Sequence, residues 1–381
     1  MINISKLYCG LAGESDHLRY NKRNDFGPIA VFNSTKKCNL KCQHCYSSSD
    51  KSLSDVELNT NQAIDLLEQL KEANCPVVLF SGGEPLLRGD LFELLDYAKK
   101  IGLRTVISTN GTLIDERTAE KLAGVDIGYV GVSLDGPKQL HDKFRGVDGC
   151  FDRTIAGFKN CRKYNIKAGL RFTIIKANKD YAGEMFDIAS DNGIRRICFY
   201  HLIGTGRAAQ ISDQSLTAQE TRATIDTVID KTKQFVGKGL IDEVLTVGNH
   251  ADGPYVLVKM QEQGHVDFEK AKELLMINGG NKIGEKIACV SWDGSVYADQ
   301  FWRNYCLGNV TEKSFKDIWY SDSDPVLHKL HNKDKFAAEV CLGCRWFELC
   351  RGNYRFLGAD PSDENWVNEP GCYLSDEEIA K

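Results

Sequence analysis

The feature that most restricts the fold is an alternation running from residue 28 to residue 202. Six short apolar runs stand out: "PIAVFN" (28–33), "PVVLFSGGEP" (76–85), "LRTVISTNGT" (103–112), "IGYVGVSLDG" (127–136), "NIKAGLRFTI" (165–174) and "IRRICFYHL" (194–202). Helix-like segments separate them. One, "NTNQAIDLLEQLKEANC", sets Ile64, Leu66, Leu67 and Leu70 on one side of a helix. Continuous apolar strands belong to sheets covered on both faces, which is the condition of a parallel sheet. Parallel neighbours need a crossover of a dozen residues or more, not a hairpin. The alternation therefore predicts an α/β fold, a partial (β/α)6 TIM-like barrel with its helices outside. Six units cannot close an eight-unit barrel, so one side stays open. Polar residues gather at or just past the strand ends: Cys38, Glu84, Asn110, Asp135, Thr173 and His201. In a barrel these positions share one rim, where such folds carry their chemistry.

After about residue 205 the alternation breaks. Residues 1–28 read as an N-terminal extension, 29–210 as the barrel core, 211–280 as a helical extension and linker, and 281–381 as a loop-rich domain. The Gly-rich "MINGGNKIG" (276–284) is the best candidate for a linker. A net charge of −5 gives no electrostatic case for nucleic acid or an anionic membrane. There is no apolar run of about 18 residues and no signal-peptide core at the start, so a cytoplasmic protein is expected.

In a reducing compartment, 14 cysteines point to metal or redox chemistry before disulfides. Two groups stand apart. Cys38, Cys42 and Cys45 lie within eight residues; Cys341, Cys344, Cys350 and Cys372 lie about 300 residues later, so each group builds its own site. A closed tetrahedral zinc site wants four ligands, which His44 or a distant residue would have to complete at the first group. Three thiolates instead suit an iron–sulfur cluster with one iron left open. The C-terminal group has four thiols, enough for structural zinc or for a second, closed cluster. Cys289, Cys306, Cys75, Cys161 and Cys198 read as buried free cysteines.

Cys38-x3-Cys42-x2-Cys45 followed by Tyr46 resembles the signature of radical S-adenosylmethionine enzymes, and the resemblance covers all six strands in order. It implies a [4Fe–4S] cluster on the three thiols, with S-adenosylmethionine at the open iron. "SGGEP" (81–85) resembles the glycine motif that receives the methionine ammonium of the cofactor, on Gly82, Gly83 and Glu84. "STNGT" and "SLDG" end the next two strands, and the resemblance implies that Ser108, Asn110, Ser133 and Asp135 face the cofactor, the last two its ribose. Read alone, Asp135 also suits a helix cap or turn. Arg145 and Arg171 are candidates for the methionine carboxylate, or for substrate carboxylates, because guanidinium clamps carboxylates bidentately. The C-terminal spacing resembles the SPASM or twitch type of auxiliary-cluster domain, which implies a second [4Fe–4S] cluster on Cys341, Cys344, Cys350 and Cys372.

Particular stretches narrow the resemblance to the haem-biosynthesis branch of that superfamily: "RRICFYHLIGTGR" (195–207), "EVLTVGNHADGPY" (243–255), "CVSWDGSVYADQFWRNYCLGNV" (289–310) and "PGCYLSDEEI" (370–379). The deacetylase type in this branch removes the two acetate side chains of 12,18-didecarboxysirohaem through a 5′-deoxyadenosyl radical, giving iron-coproporphyrin III. Its sister type removes propionates in d1-type haem formation; a more remote alternative is a SPASM peptide-modifying enzyme. The chain departs from the deacetylase type at Ala251, where a cysteine is expected. The resemblance implies an iron-porphyrinoid substrate and an electron donor of flavodoxin or ferredoxin type. His201 and His250 are candidates for ligating substrate iron or bonding its carboxylates, and His201 is taken as a catalytic candidate. Arg196, Arg207 and Arg303 are further candidate carboxylate partners. Trp292, Phe301 and Trp302 read as core or wall.

Overall fold

In the computed structural model, which describes residues 1–10, 20, 26–51, 56–353 and 371–380, the six predicted strands form and extend into a larger sheet. The strands are β1 (Ile2–Asn3), β2 (Ile29–Thr35), β3 (Val77–Gly82), β4 (Arg104–Thr109), β5 (Val130–Ser133), β6 (Ala168–Ile174), β7 (Arg196–His201), β8 (Glu243–Val247), β9 (Ile287–Val290), β10 (Ser295–Tyr297) and β11 (Gly308–Asn309). Their order across the sheet is β1-β8-β7-β6-β5-β4-β3-β2-β9-β10-β11. From β2 to β8 every neighbouring pair is parallel, as the crossover argument requires. The parallel run is longer than the six strands predicted. β8 adds to β7 from within the helical extension, and β9 adds to β2 in parallel, Ile29 opposite Ile287 through Phe32 opposite Val290. Strand β1, from the N-terminal extension, pairs antiparallel with β8.

Successive side chains on a strand point to opposite faces. Phe32, Phe80, Ile107, Val130, Val132, Leu170, Phe172, Ile197 and Phe199 point to one face and are buried in the main core. Helices cover that face. Thr60–Glu72 begins with a capping box between Asn59 and Gln62 and buries Ala63, Leu66, Leu67 and Leu70. Each such leucine contributes roughly 1.5–3 kcal/mol on leaving water. Residues of the opposite parity, Leu79, Ser81, Ser108, Ser133, Arg171, Thr173 and Tyr200, point into the barrel and line a cavity. One periodicity therefore supplies both the core and the functional interior.

The C-terminal region shares the main core through Val290, Val296, Phe315 and Trp319. A second core joins Ile2, Ile4, Leu7 and Tyr8 to helix Asp252–Glu262 and to Trp346, Leu349 and Tyr373. No helix among the described residues is long and apolar enough to cross a membrane.

Candidate active site

The loop after β2 carries the first three cysteines, and the ends of the neighbouring strands hold it in place. Gly83 and Glu84 donate backbone N–H groups to the carbonyls of Thr35 and Lys37, each at 2.8 Å. A Cβ on Gly82 would lie 2.4 Å from the Thr35 carbonyl oxygen, and one on Gly83 would lie 2.2 Å from that of Lys37. These glycines are thus required by chain-on-chain contact, in addition to the cofactor approach inferred from sequence. Asn110 donates to Asn39, between the cysteines, at 2.8 Å, and its own side-chain oxygen accepts from the Thr112 amide and hydroxyl. Arg207 donates to the Cys42 carbonyl at 2.9 Å and the Ser49 carbonyl at 2.7 Å. Arg207, a candidate for substrate carboxylates, is therefore committed to bracing the loop.

Cys38, Cys42 and Cys45 line one cavity, open to solvent. Tyr46, Gly82, Gly83, Ser108, Asn110, Ser133, Arg145, Arg171 and His201 line it as well, so most of the sequence-chosen residues converge. Each sulfur has a polar neighbour at 3.4 Å: the Leu40 amide donates to Cys38, the Arg145 guanidinium donates to Cys42, and the Ser47 hydroxyl bonds with Cys45. Burial, with the Glu84 carboxylate and the neighbouring thiols adding to it, pushes the Cys38 thiol up to about 12 against the Leu40 amide. These donors favour thiolates, and cationic iron would supply the remaining drive to ionise them, so the donor set fits a cluster.

Two sequence-chosen carboxylates do not line this cavity. Glu84 is fully buried; its oxygens accept from the Thr109 hydroxyl at 2.8 Å, the Asn110 amide at 2.8 Å and the Leu86 amide at 3.1 Å. It ties the end of β3 to the end of β4. Asp135 is also fully buried, paired with the Arg145 guanidinium and accepting from the Thr173 amide at 2.9 Å. Arg145 therefore spends its charge on Asp135 and Cys42 within the protein. Arg171 donates to the Ser108 hydroxyl at 2.5 Å. Gly131 makes room for it, since a Cβ there would lie 2.1 Å from the guanidinium Nε. Ser133 lines the cavity from the next strand. Tyr46 donates to Asn33 at 2.7 Å, and its ring meets Phe301 edge-on at 5.3 Å. Phe301 and Gln300 bring the C-terminal region to the cavity wall. His44 stacks on Phe144 at 4.3 Å, and burial with Arg145 and Arg207 nearby holds it well below the ordinary imidazole range.

Of the other candidates, Arg196 lies 3.0 Å from Glu243 and over the Tyr129 ring, and Arg303 donates to Ser291 and sits between Trp292 and Tyr297. His250 is buried with Nδ1 unpartnered. Trp302 is core. Cys75, Cys161, Cys198 and Cys289 are buried free thiols, as expected; Cys306 is instead exposed. Sequence reasoning missed Asp252 and Tyr373. Asp252 Oδ2 lies 2.9 Å from His201 Nε2, and its Oδ1 accepts from Tyr373 at 2.7 Å.

Cys341, Cys344, Cys350 and Cys372 line a separate cavity together with Ala251. The Trp346 amide donates to Cys344 at 3.4 Å, and the Asn353 amide donates to Cys350 at 3.1 Å. Backbone donors of this kind suit thiolate ligands of a cluster. Burial and the neighbouring thiols push Cys350 well above the ordinary thiol range, as for Cys38. A third cavity bridges the two sites: it shares His201, Leu202 and Ile203 with the first and Asn353 and Cys372 with the second.

The chain is similar to known proteins along most of its length. Residues 32–200 match the Radical SAM superfamily, and residues 282–345 match an iron–sulfur cluster-binding domain, SPASM. The chain is 44% identical over 395 residues to Fe-coproporphyrin III synthase of Methanosarcina barkeri, covering 100% of this chain and 99% of that protein. It is 32% identical over 354 residues to pre-heme d1 synthase of Dinoroseobacter shibae, covering 91% and 86%. Among solved structures it resembles Streptococcus suis SuiB bound to precursor peptide SuiA, with a TM-score of 0.72, 21% identity and coverage of 92% and 76%. It also resembles native anSMEcpe with bound AdoMet, with a TM-score of 0.70, 21% identity and coverage of 92% and 96%. At that identity the two structures speak for the fold.

Proposed function

This chain belongs to the radical SAM superfamily, and from that premise we propose that it removes the two acetate side chains of 12,18-didecarboxysirohaem, giving iron-coproporphyrin III. The radical SAM domain binds S-adenosylmethionine and a [4Fe–4S] cluster, and the SPASM domain binds a further iron–sulfur cluster. When bound, this pair of groups supplies one-electron chemistry strong enough to take hydrogen from an unactivated C–H bond, which acid–base side chains cannot do. The chain's own residues bind, orient and exclude water. We assign Cys38, Cys42 and Cys45 to the cluster that receives the cofactor, and Cys341, Cys344, Cys350 and Cys372 to the closed one. Gly82, Gly83, Ser108, Ser133 and Arg171 present backbone, hydroxyl and guanidinium groups to the cofactor. Glu84 and Asp135 hold those strand ends in register from behind the cavity wall, and Asn110 and Arg145 brace them from the wall itself. Phe301 and Tyr46 supply an apolar part of the cavity wall, which limits the water around a reactive intermediate. The substrate enters through the bridging cavity, between the two thiol sites. The electron donor is of flavodoxin or ferredoxin type.

The observation that carries this reading is the likeness to Fe-coproporphyrin III synthase at 44% identity along nearly the whole of both chains, against 32% for pre-heme d1 synthase. The test is anaerobic incubation of the cluster-loaded protein with reductant, S-adenosylmethionine and 12,18-didecarboxysirohaem, with products read by mass spectrometry. Loss of two acetate units is expected. Propionate loss would transfer the chain to the d1 type, and an unchanged substrate would overturn both readings.

A further inference from the structure

His201 ends β7, where the thiol-lined cavity meets the bridging cavity. Its Nε2 lies 2.9 Å from Asp252 Oδ2, and Asp252 Oδ1 accepts from the Tyr373 hydroxyl at 2.7 Å. Asp252 is fully sealed and Tyr373 is 3% exposed, whereas the His201 side chain is 14% exposed. A carboxylate only accepts, so Nε2 carries a proton and Nδ1 is left for the cavity side.

We propose that His201 anchors a peripheral carboxylate of the substrate through Nδ1, held in place by the Asp252–Tyr373 chain. The proposal rests on the porphyrinoid reading above and adds a specificity-determining residue to it. A carboxylate-bearing macrocycle needs cationic or donor partners along its edge. In the first cavity Arg145 is paired with Asp135 and Cys42, and Arg171 is bonded to Ser108. Among the described side chains lining the bridging cavity, His201 alone can carry positive charge. In the bound state the ring donates from both nitrogens, Nε2 to Asp252 and Nδ1 to the substrate. Ligation of the substrate's iron is disfavoured on the same geometry. Nδ1 adjoins Cβ, so a flat macrocycle meeting it face-on would collide with the histidine's own backbone. Tyr373 follows Cys372, so the anchor is also tied to the segment carrying the last C-terminal thiol.

The test compares iron-coproporphyrin III with its tetramethyl ester, which keeps the ring and the iron and removes the carboxylates. Dissociation constants are measured from the Soret band on cluster-loaded wild type, His201→Ala, His201→Gln and Asp252→Asn. Losing a hydrogen bond to a charged group predicts about tenfold or more weaker binding of the free acid by His201→Ala, with ester binding unchanged. Partial recovery is expected in His201→Gln, whose amide can still donate, and a smaller loss in Asp252→Asn. Equal loss of acid and ester, or no loss of either, would overturn the anchor. If wild type bound neither form, the porphyrinoid reading itself would fall, and the anchor with it.

Discussion

The two thiol sites of this chain are built in opposite ways. The three-thiol loop is short and local, and the barrel braces it through Gly83, Glu84, Asn110 and Arg207, all bonded to its backbone or to Asn39. The four thiols of the second site come from two one-turn helices, Glu339–Leu342 with Cys341 and Phe347–Cys350 with Cys350, from Cys344 in the turn between them, and from Cys372, which follows residues outside the described set. Other segments hold these pieces: the Asn281 amide donates to the Cys350 carbonyl at 3.1 Å, the Trp346 indole donates to the Glu378 carbonyl at 2.9 Å, and Asn249 donates to the Gly371 carbonyl at 2.8 Å. The difference teaches where a metal group would act on the fold. At the first site the protein holds the shape and the metal group brings chemistry. At the second, a metal group held by these four thiols would join distant pieces of chain, and its binding energy would be partly folding energy.

Replacing one thiol at each end tests that contrast with the largest expected effects. Cys42→Ala is expected to abolish 5′-deoxyadenosine formation and to remove about four irons per chain, while the thermal midpoint stays near that of wild type. Cys350→Ala is expected to lose a similar amount of iron, lower the midpoint by several degrees and abolish acetate loss, while retaining some cleavage of S-adenosylmethionine. Iron and sulfide content, chromatography of the nucleoside and calorimetry separate the two. Equal loss of thermal stability in both variants would break the contrast.

Arg145→Gln probes the bracing of the first site. Arg145 is 5% exposed, and its partner Asp135 is fully buried. Breaking a buried pair by removing one member leaves an uncompensated charge and costs about 3–5 kcal/mol. Denaturation of the cluster-loaded variant should show that loss, with iron retained at the C-terminal site and reduced at the first. A cost below 1 kcal/mol would mean that the pair is dispensable.

Arg145 also marks how far the sequence could be read. The strand periodicity and the cysteine spacings were legible because both are local: parity along a strand decides its face, and thiols a few residues apart must share a loop. The same parity carried Ser108, Ser133 and Arg171 into the cavity. Glu84 and Asp135 stand just past the strand ends where the sequence puts them, with Arg145 paired to Asp135, but their direction was not legible. Whether a carboxylate faces a cavity or the strand behind it depends on donors far away in sequence, such as Thr109 and Asn110 for Glu84 and Thr173 for Asp135. The Asp252–Tyr373 bond spans 121 residues and had no local signal at all. β8 continues the strand–helix alternation through helix Ala218–Gly237, and β9 joins β2 from the C-terminal region; that short strands after residue 205 would extend the parallel run depends on pairing across the sheet, which no local pattern shows.

The smallest expected effect falls on the departure at Ala251. This residue is fully buried, precedes helix Asp252–Glu262 and lines the four-thiol cavity. Its neighbour Asp252 turns the other way, toward His201, so one peptide step separates the auxiliary site from the substrate anchor. Ala251→Cys would place a fifth sulfur beside a site whose four ligands are already supplied. A tetrahedral set of thiolates leaves no iron short of a ligand, so the added thiol should remain a small buried hydrophobe. Iron and sulfide content, the paramagnetic resonance of the reduced protein and turnover should all match wild type. A changed spectrum would mean that the new thiol had displaced one of the four. The companion variant Cys372→Ala then decides which: if Ala251→Cys restores its iron, residue 251 and residue 372 compete for the same corner of the site, and the closed site can be completed from either side of the bridging cavity.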